Sequence, residues 1–455
     1  MSSERLQRKI SLSGAVFLMV GNVVGASIFI LPGELAGSAG PAVFIAYLIA
    51  LIPAFFNSVV AAQIGGILPV SAADYVFTSI VLHPVLGFLS VWITLLGALV
   101  GGPLLAYGFA EYFAFFTPDL SPILVASAVI VFVTGLNLLG IRSSVKIQML
   151  MVAGFVSTLL VLAIGGLFYI DTSLLAPLAP NGWNAVIAAA VPAYFSYTGL
   201  VMLMSISEEI ENPARNIPLT IFYTLGFVAM IYTLVSFVTP GLLPWQELGR
   251  LAAPLSAAAA TFLPDWYSTA ITLAALLAAV TSANMIVIIC SRAIFAVART
   301  RVFPEAISRI NPRTGEPTNA ILLIAGLIGI GIALQGNIAQ YASVAVIGWM
   351  LYGIFWGVAL VRLPNKLPEH YSNARFKLST TALWVTAIVN IVVGLIFIAV
   401  GVSGNLLPSL AYLVLLFLGA IYYTWRQRSL AEEGISLEEL LMHETREARQ
   451  ATQEL

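Results

Sequence analysis

Two short stretches of this chain place groups able to bind charge inside apolar surroundings. The first is GNVVGASIFILPG, residues 21–33, in which Gly21, Asn22 and Gly25 stand in the middle of a long apolar run. The second is AYFSYTGLVMLMS, residues 193–205, where Ser196, Tyr197, Thr198 and Gly199 interrupt another. In hydrocarbon every backbone N–H and C=O needs a partner, so unwound backbone is tolerated only where it is buried or lines a cavity. If the first run unwinds over Val23 to Ser27, the following half-helix begins with free N–H groups of Gly25, Ala26 and Ser27, an arrangement suited to a carboxylate. If the second unwinds after Phe195, the preceding half-helix ends on the carbonyls of Phe195, Ser196 and Tyr197, which suit an ammonium. Opposed in one cavity, the two breaks form a receptor for a zwitterion that needs no charged side chain. The same glycines admit a plainer reading, since Gly21 and Gly25 at four-residue spacing also make a small-residue packing face between membrane helices. A second interruption five spans later favours the site, because discontinuous segments at corresponding positions of two halves point to a transporter's binding site.

The elements that must hold these breaks are membrane spans. Of 455 residues, 60% are hydrophobic and 9% charged, and the mean hydropathy is +0.98. A soluble domain carries about 25% charged residues, so the composition excludes a water-soluble enzyme or a nucleic-acid-binding protein. The lone cysteine, Cys290, excludes an intramolecular disulfide and reads as a small core residue; with three histidines no metal cluster is expected. The start MSSERLQRK leads into a full span without a signal-peptide pattern. Apolar runs near 12–37, 42–68, 84–115, 122–140, 146–170, 184–206, 219–243, 266–298, 318–335, 338–361, 380–402 and 406–425 are each of the order of the ~20 residues that a bilayer requires. Of the 20 Lys and Arg residues, Arg250 alone falls on the far side when the amino terminus is placed inside. The positive-inside rule therefore predicts cytoplasmic termini and an even number of crossings in the plasma membrane, with span one running outward and span six inward. Ser71-Ala-Ala-Asp74 and Ser436-Leu-Glu-Glu439 read as capping boxes, the second opening an acidic tail helix, and residues 251–263 as a short helix in an outer loop.

On GNVVGASIFILPG, on EEIENPARNIP (208–218), on SRAIFAVARTRVFPEAI (291–307) and on GEPTNA (315–320), the chain resembles the amino acid–polyamine–organocation (APC) superfamily, from Leu12 to about Trp425. The resemblance implies an all-α fold of about twelve helices with helices 1 and 6 broken. A cytoplasmic segment 1–11 precedes a transporter domain 12–425, built from inverted five-helix repeats at about 12–170 and 184–361 plus two helices at 380–425; a cytoplasmic tail 426–455 follows. It implies alternating access and a bound α-amino acid at Val23, Val24, Gly25, Ala26, Ser27, Phe195, Ser196, Tyr197, Thr198 and Gly199. The chain departs from its relatives at Ala72-Ala73, where two glycines are usual, and at Phe155, where many proton-coupled relatives carry lysine.

No acidic residue lies in the middle of a span. Glu34 and Glu111 fall near the outer ends of spans one and three, and Glu208 and Glu209 near the inner end of span six. Without a deep carboxylate to meet a basic side chain, a neutral amino acid is the expected substrate, with cationic amino acids and polyamines next. No enzymatic constellation and no cofactor is expected. For coupling, Thr281 and Ser282 in AAVTSANMI, with carbonyls of Gly21 and Val24, match the sodium-binding pattern of the bacterial leucine transporter; equally, the hydroxyls can bond carbonyls of their own helix. Sodium, a proton and obligate exchange all stay open, as does a non-transporting sensor. Phe195 is a candidate gate or an ordinary packing residue, Arg292 an ion-pair partner of Glu208 or Glu209 or a headgroup contact, and Thr94 and Asn284 are candidate pocket-lining positions. The oligomeric state is not legible.

Overall fold

The computed structural model describes residues 10–67, 73–140, 145–200, 203 and 210–435. Seventeen α-helices follow one another among them: α1 (Leu12–Val23), α2 (Ser27–Ala39), α3 (Val43–Ile67), α4 (Ala73–Val81), α5 (Pro84–Phe113), α6 (Pro122–Leu138), α7 (Val145–Gly166), α8 (Trp183–Tyr194), α9 (Pro213–Leu242), α10 (Trp245–Leu248), α11 (Pro254–Ala260), α12 (Asp265–Arg299), α13 (Thr318–Ala333), α14 (Ile338–Lys366), α15 (Pro368–Ser372), α16 (Thr380–Gly404) and α17 (Leu406–Glu432). Eight helical stretches are long and apolar enough to cross a bilayer, and α1, α6 and α13 are shorter apolar helices. Large apolar side chains stand fully outward, Leu150 at 75% and Phe168 at 83% exposure, which water would penalise and lipid does not.

The order of helix lengths repeats. In each set of five a broken span comes first. Then α3 and α9 have 25 and 30 residues, α5 and α12 have 30 and 35, α6 and α13 have 17 and 16, and α7 and α14 have 22 and 29. Five crossings are odd, so the second set starts from the opposite face and the repeat is inverted. Contacts along the two broken spans show the same antiparallel course. At one end Glu211 N–H donates to Ile10 O (3.0 Å). Midway, Asn22 Nδ2 donates to Gly199 O (3.0 Å). At the other end Ala42 N–H donates to Leu178 O (2.8 Å) and Asn181 Nδ2 to Ser38 O (2.8 Å).

Helix α5 runs through the centre, against α12, α13, α14, α6 and α4. Its approach to α13 is close because Gly331 faces the Leu99 carbonyl, where a Cβ would collide with backbone. The residues expected to form an outer-loop helix contain α11, whose Leu255, Ala258 and Ala259 are buried against α12 and α2. Ser71, Glu208, Glu209 and the tail from Ser436 lie outside the described residues, as does the side chain of Asp74.

Candidate binding site at the two broken spans

The first span stops where glycine lets it. Val24 N–H makes the last α1 bond, to Val20 O (2.7 Å), and Gly25 N–H turns back to Val23 O (2.8 Å). The Gly25 amide, expected to be free, is thus engaged; helix α2 restarts at Ser27 with no side-chain cap, so the amides that follow have no partner of the capping kind that helix starts ordinarily find. Gly25 has a second reason to be glycine: a Cβ there would sit on Ser282 Oγ. Gly21 packs with equal closeness on Val152 of α7. The two readings of the glycine pair thus divide, Gly21 serving packing and Gly25 both packing and the break.

The second span behaves differently from the sequence expectation. After α8 ends at Tyr194, residues 195–200 tighten into a 3₁₀ helix rather than opening, a form that is poorly tolerated for long and often marks a hinge. The carbonyls expected to be free are in part engaged. Phe195 O accepts from Thr198 Oγ1 (2.8 Å). The Tyr232 hydroxyl lies 2.6 Å from Val23 O and 3.2 Å from Ser196 O, and its single proton serves the nearer. Buried carbonyls away from water require such donors, so the chain supplies its own. Tyr232 belongs to a buried triad with Tyr47 and Tyr197, with ring centroids 5.2 to 6.4 Å apart.

Between the breaks lies a hollow of about 60 Å³, room for a few waters at ~10–15 Å³ each. Of the residues expected there, Val23, Gly25, Ser27, Phe195, Ser196, Thr198, Gly199, Thr94 and Ser282 line it. Val24, Ala26 and Tyr197 belong to the same backbone segments but do not reach the wall. Gly199 brings the spans together: its Cβ would lie 3.1 Å from Asn22 O and 3.2 Å from Val23 Cα. The Phe195 ring rests on Gly101 of α5, whose Cβ would be 3.3 Å from it. Asn284 does not line the hollow. Its Oδ1 accepts from Asn137 Nδ2 on α6 (2.7 Å), because its place on α12 faces that helix. Thr281 Oγ1 donates to Ala278 O of its own helix (2.9 Å), whereas the Ser282 hydroxyl is buried without a hydrogen-bond partner. Phe155, at the position of the relatives' lysine, is buried in the core.

Sequence reading missed several wall residues: Asn22, Leu105, Met285, Cys290 and Trp349. Asn22, a polar residue between two glycines at mid-span, was the detectable one. Cys290, expected in the core, is buried with its Sγ 3.4 Å from Thr94 O, yet reaches the wall as well. Among the described residues no charged side chain lines the hollow. Glu34 instead reaches the start of α14, where its Oε1 accepts from Ala339 N–H (3.1 Å).

A helical membrane protein with two antiparallel broken spans around a small, mostly apolar hollow edged by hydroxyls and backbone polar groups is, by class, a solute carrier. Comparison with known proteins supplies the family. The model of the amino acid permease family matches residues 10–371, and the chain belongs to that family of membrane transporters. It is 24% identical to a branched-chain amino acid permease of Bacillus subtilis, over 80% of this chain and 82% of that one. It is 25% identical to a methylthioribose transporter of the same organism, over 81% and 83%. To a vacuolar cationic amino acid transporter of Arabidopsis thaliana it is 27% identical, over 76% of this chain and 62% of the relative.

Proposed function

We propose that the chain carries neutral amino acids across the plasma membrane by alternating access, as an ion-coupled secondary transporter with both termini in the cytoplasm. The observation that carries this reading is the wall of the hollow: uncapped amides at one side, carbonyls and hydroxyls at the other, and apolar side chains without a charge between them. The amides of α2 take the substrate carboxylate. The ammonium takes over carbonyls now held by Thr198, Asn22 and Tyr232. Leu105, Met285, Ile286 and Trp349 give an uncharged side chain its surroundings. A cationic side chain, which the name of the Arabidopsis relative suggests as an alternative, would lie there without an anion, at a cost of several kcal/mol for a buried unpaired charge. For coupling, Ser282 is the residue of the expected sodium set that stands against the first break with its hydroxyl unspent, while Thr281 is turned to its own helix.

The test is uptake of radiolabelled neutral amino acids into proteoliposomes, with sodium and pH gradients imposed separately. Uptake into vesicles without internal substrate, driven by one gradient, supports symport. A strict need for internal substrate replaces this by exchange, and binding without flux by a sensor. Gly25→Leu drives a side chain into Ser282 and abolishes binding while membrane insertion persists; normal binding by that variant would remove the site from the breaks.

A further inference from the structure

Helices α6 and α13 occupy the fourth place of each repeat and have 17 and 16 residues, about 25 Å at 1.5 Å per residue, short of a ~30 Å hydrocarbon core. On the side away from α5 they part to leave a groove of about 440 Å³, walled by Ser127, Ile130, Thr134 and Leu138 from one helix and Leu322 and Ile332 from the other. Gly135 and Gly329 also border it, and a Cβ on either would meet no heavy atom within 4 Å. Gly331, on the same helix as Gly329, lets α13 touch α5; Gly135 and Gly329 widen a space. The rim is apolar and outward-facing, with Val131 at 72% and Leu322 at 50% exposure, so the groove opens to lipid.

Two features distinguish it from ordinary lipid-facing surface. The first is Thr134, whose side chain is only 7% exposed and whose hydroxyl is buried without a hydrogen-bond partner. A buried hydroxyl of this kind is costly unless something accepts its proton. The second is charge at one end. Past Leu138, Gly140 lies against the Thr314 carbonyl, its Cβ position 3.1 Å away, which brings the loop bearing Arg313 to the end of the groove. That loop is fixed by Asn319 Nδ2 donating to Ala306 O (2.7 Å) and by Arg313 N–H donating to Asn311 Oδ1 (2.9 Å). Arg309 and Arg313 are exposed and neither is in an ion pair among the described residues. Glu305 and Glu316 share the loop, and Glu316 is the partly buried one, turned toward Gly140.

We propose that this groove is a site for an anionic phospholipid: one acyl chain lies along Gly135 and Gly329, a glycerol ester carbonyl accepts from the Thr134 hydroxyl, and the phosphate meets Arg313. Basic residues at the ends of membrane helices select anionic headgroups in this way, and the groove between Thr134 and Ser127, about 10 Å long at 1.5 Å per residue, takes the first half of the chain, the rest lying in the bilayer.

The test is native mass spectrometry of the full chain in detergent, titrated with phosphatidylglycerol or phosphatidylcholine. Wild type retains phosphatidylglycerol in preference to phosphatidylcholine. Arg313→Gln narrows that preference by about fivefold, the factor corresponding to ~1 kcal/mol for one basic residue near a membrane surface. Gly329→Phe, whose ring enters open space and leaves helix packing intact, removes the retained lipid of either kind, and Thr134→Val weakens both. Melting temperature and monodispersity identify any variant that misfolds, with Gly135→Leu as the second groove-filling variant. Equal retention of the two lipids by wild type, or undiminished retention by folded Gly329→Phe and Gly135→Leu, would overturn the proposal.

Discussion

At the scale of single residues, the interior of the two breaks is governed by which donor serves which carbonyl. Val23 O is the last acceptor before the first break, and the Tyr232 hydroxyl reaches it from α9 at 2.6 Å. Tyr232→Phe keeps the ring in the aromatic triad and removes the hydroxyl that donates to Val23 O. Val23 O keeps the bond from Gly25 N–H (2.8 Å) and loses its second donor, at about the 0.5–1.5 kcal/mol net worth of one hydrogen bond, so this variant melts at a slightly lower temperature than wild type and moves substrate more slowly. Tyr197→Phe is the matched control: its hydroxyl lies 3.4 Å from Tyr47 O, a long bond whose loss changes the melting temperature little. Equal destabilisation by the two variants would show that the triad acts through packing rather than through the Val23 carbonyl. None of these pairings was legible in the sequence. Tyr232 and Val23 are far apart in the chain, and a tyrosine in a membrane span gives no sign of the carbonyl it will find. Gly25 was legible because a mid-span glycine one turn from an asparagine is costly unless the backbone must bend or something must come close, and here both hold.

At the scale of elements, the lengths and order of the helices were readable from apolar runs, and so was the presence of two interruptions. What the second interruption does was not. A polar stretch with glycine reads as unwinding, but the local outcome depends on whether Thr198 and Tyr232 can reach the freed carbonyls, which is a matter of tertiary geometry. Asn284 misled for a related reason: a polar residue on α12 must face something polar, and helical phase alone does not say whether that is a cavity or Asn137. Glu34 shows the same principle with a consequence that can be measured. It sits on α2, yet its carboxylate caps another helix, accepting from Ala339 N–H in the first turn of α14, while Asn337 caps that helix from within by accepting from Gln340 N–H (2.7 Å). The half-helix that follows the first break is therefore joined to the helix of the second repeat that contributes Trp349 to the hollow. Glu34→Leu leaves the Ala339 amide unserved, at a cost near the ~0.5–2 kcal/mol of a lost cap, and lowers the melting temperature accordingly. Glu34→Gln keeps an oxygen for the amide and gives up the charge that a helix start favours, so it recovers most of the loss. If Gln proves as damaging as Leu, charge at the end of α14 matters more than the hydrogen bond.

At the scale of the whole molecule, two antiparallel repeats meet at a hollow of about 60 Å³ that is too small to hold an amino acid as it stands, with Phe195 resting on Gly101 at one wall and Trp349 at another. The alternating access proposed above requires the hollow to open to each side in turn, and the sequence supplies a reporter for this. Cys290 is the only cysteine. It is buried at 4% exposure, and it borders the hollow from α12 opposite Thr94. In the closed arrangement a membrane-impermeant thiosulfonate cannot reach it, whatever side it is applied from. Opening exposes it to one compartment, so the labelling rate follows the fraction of molecules open to that side. Conditions that favour opening speed the reaction, and a saturating neutral amino acid slows it by occupying the space the reagent must cross. No second cysteine competes, so a single modified site can be counted by mass, and Cys290→Ser provides the blank. Labelling from one face in orientation-sorted vesicles, slowed by substrate, is the expected result. A rate indifferent to substrate would place Cys290 off the path and confine solute to some route other than the space between the two broken spans.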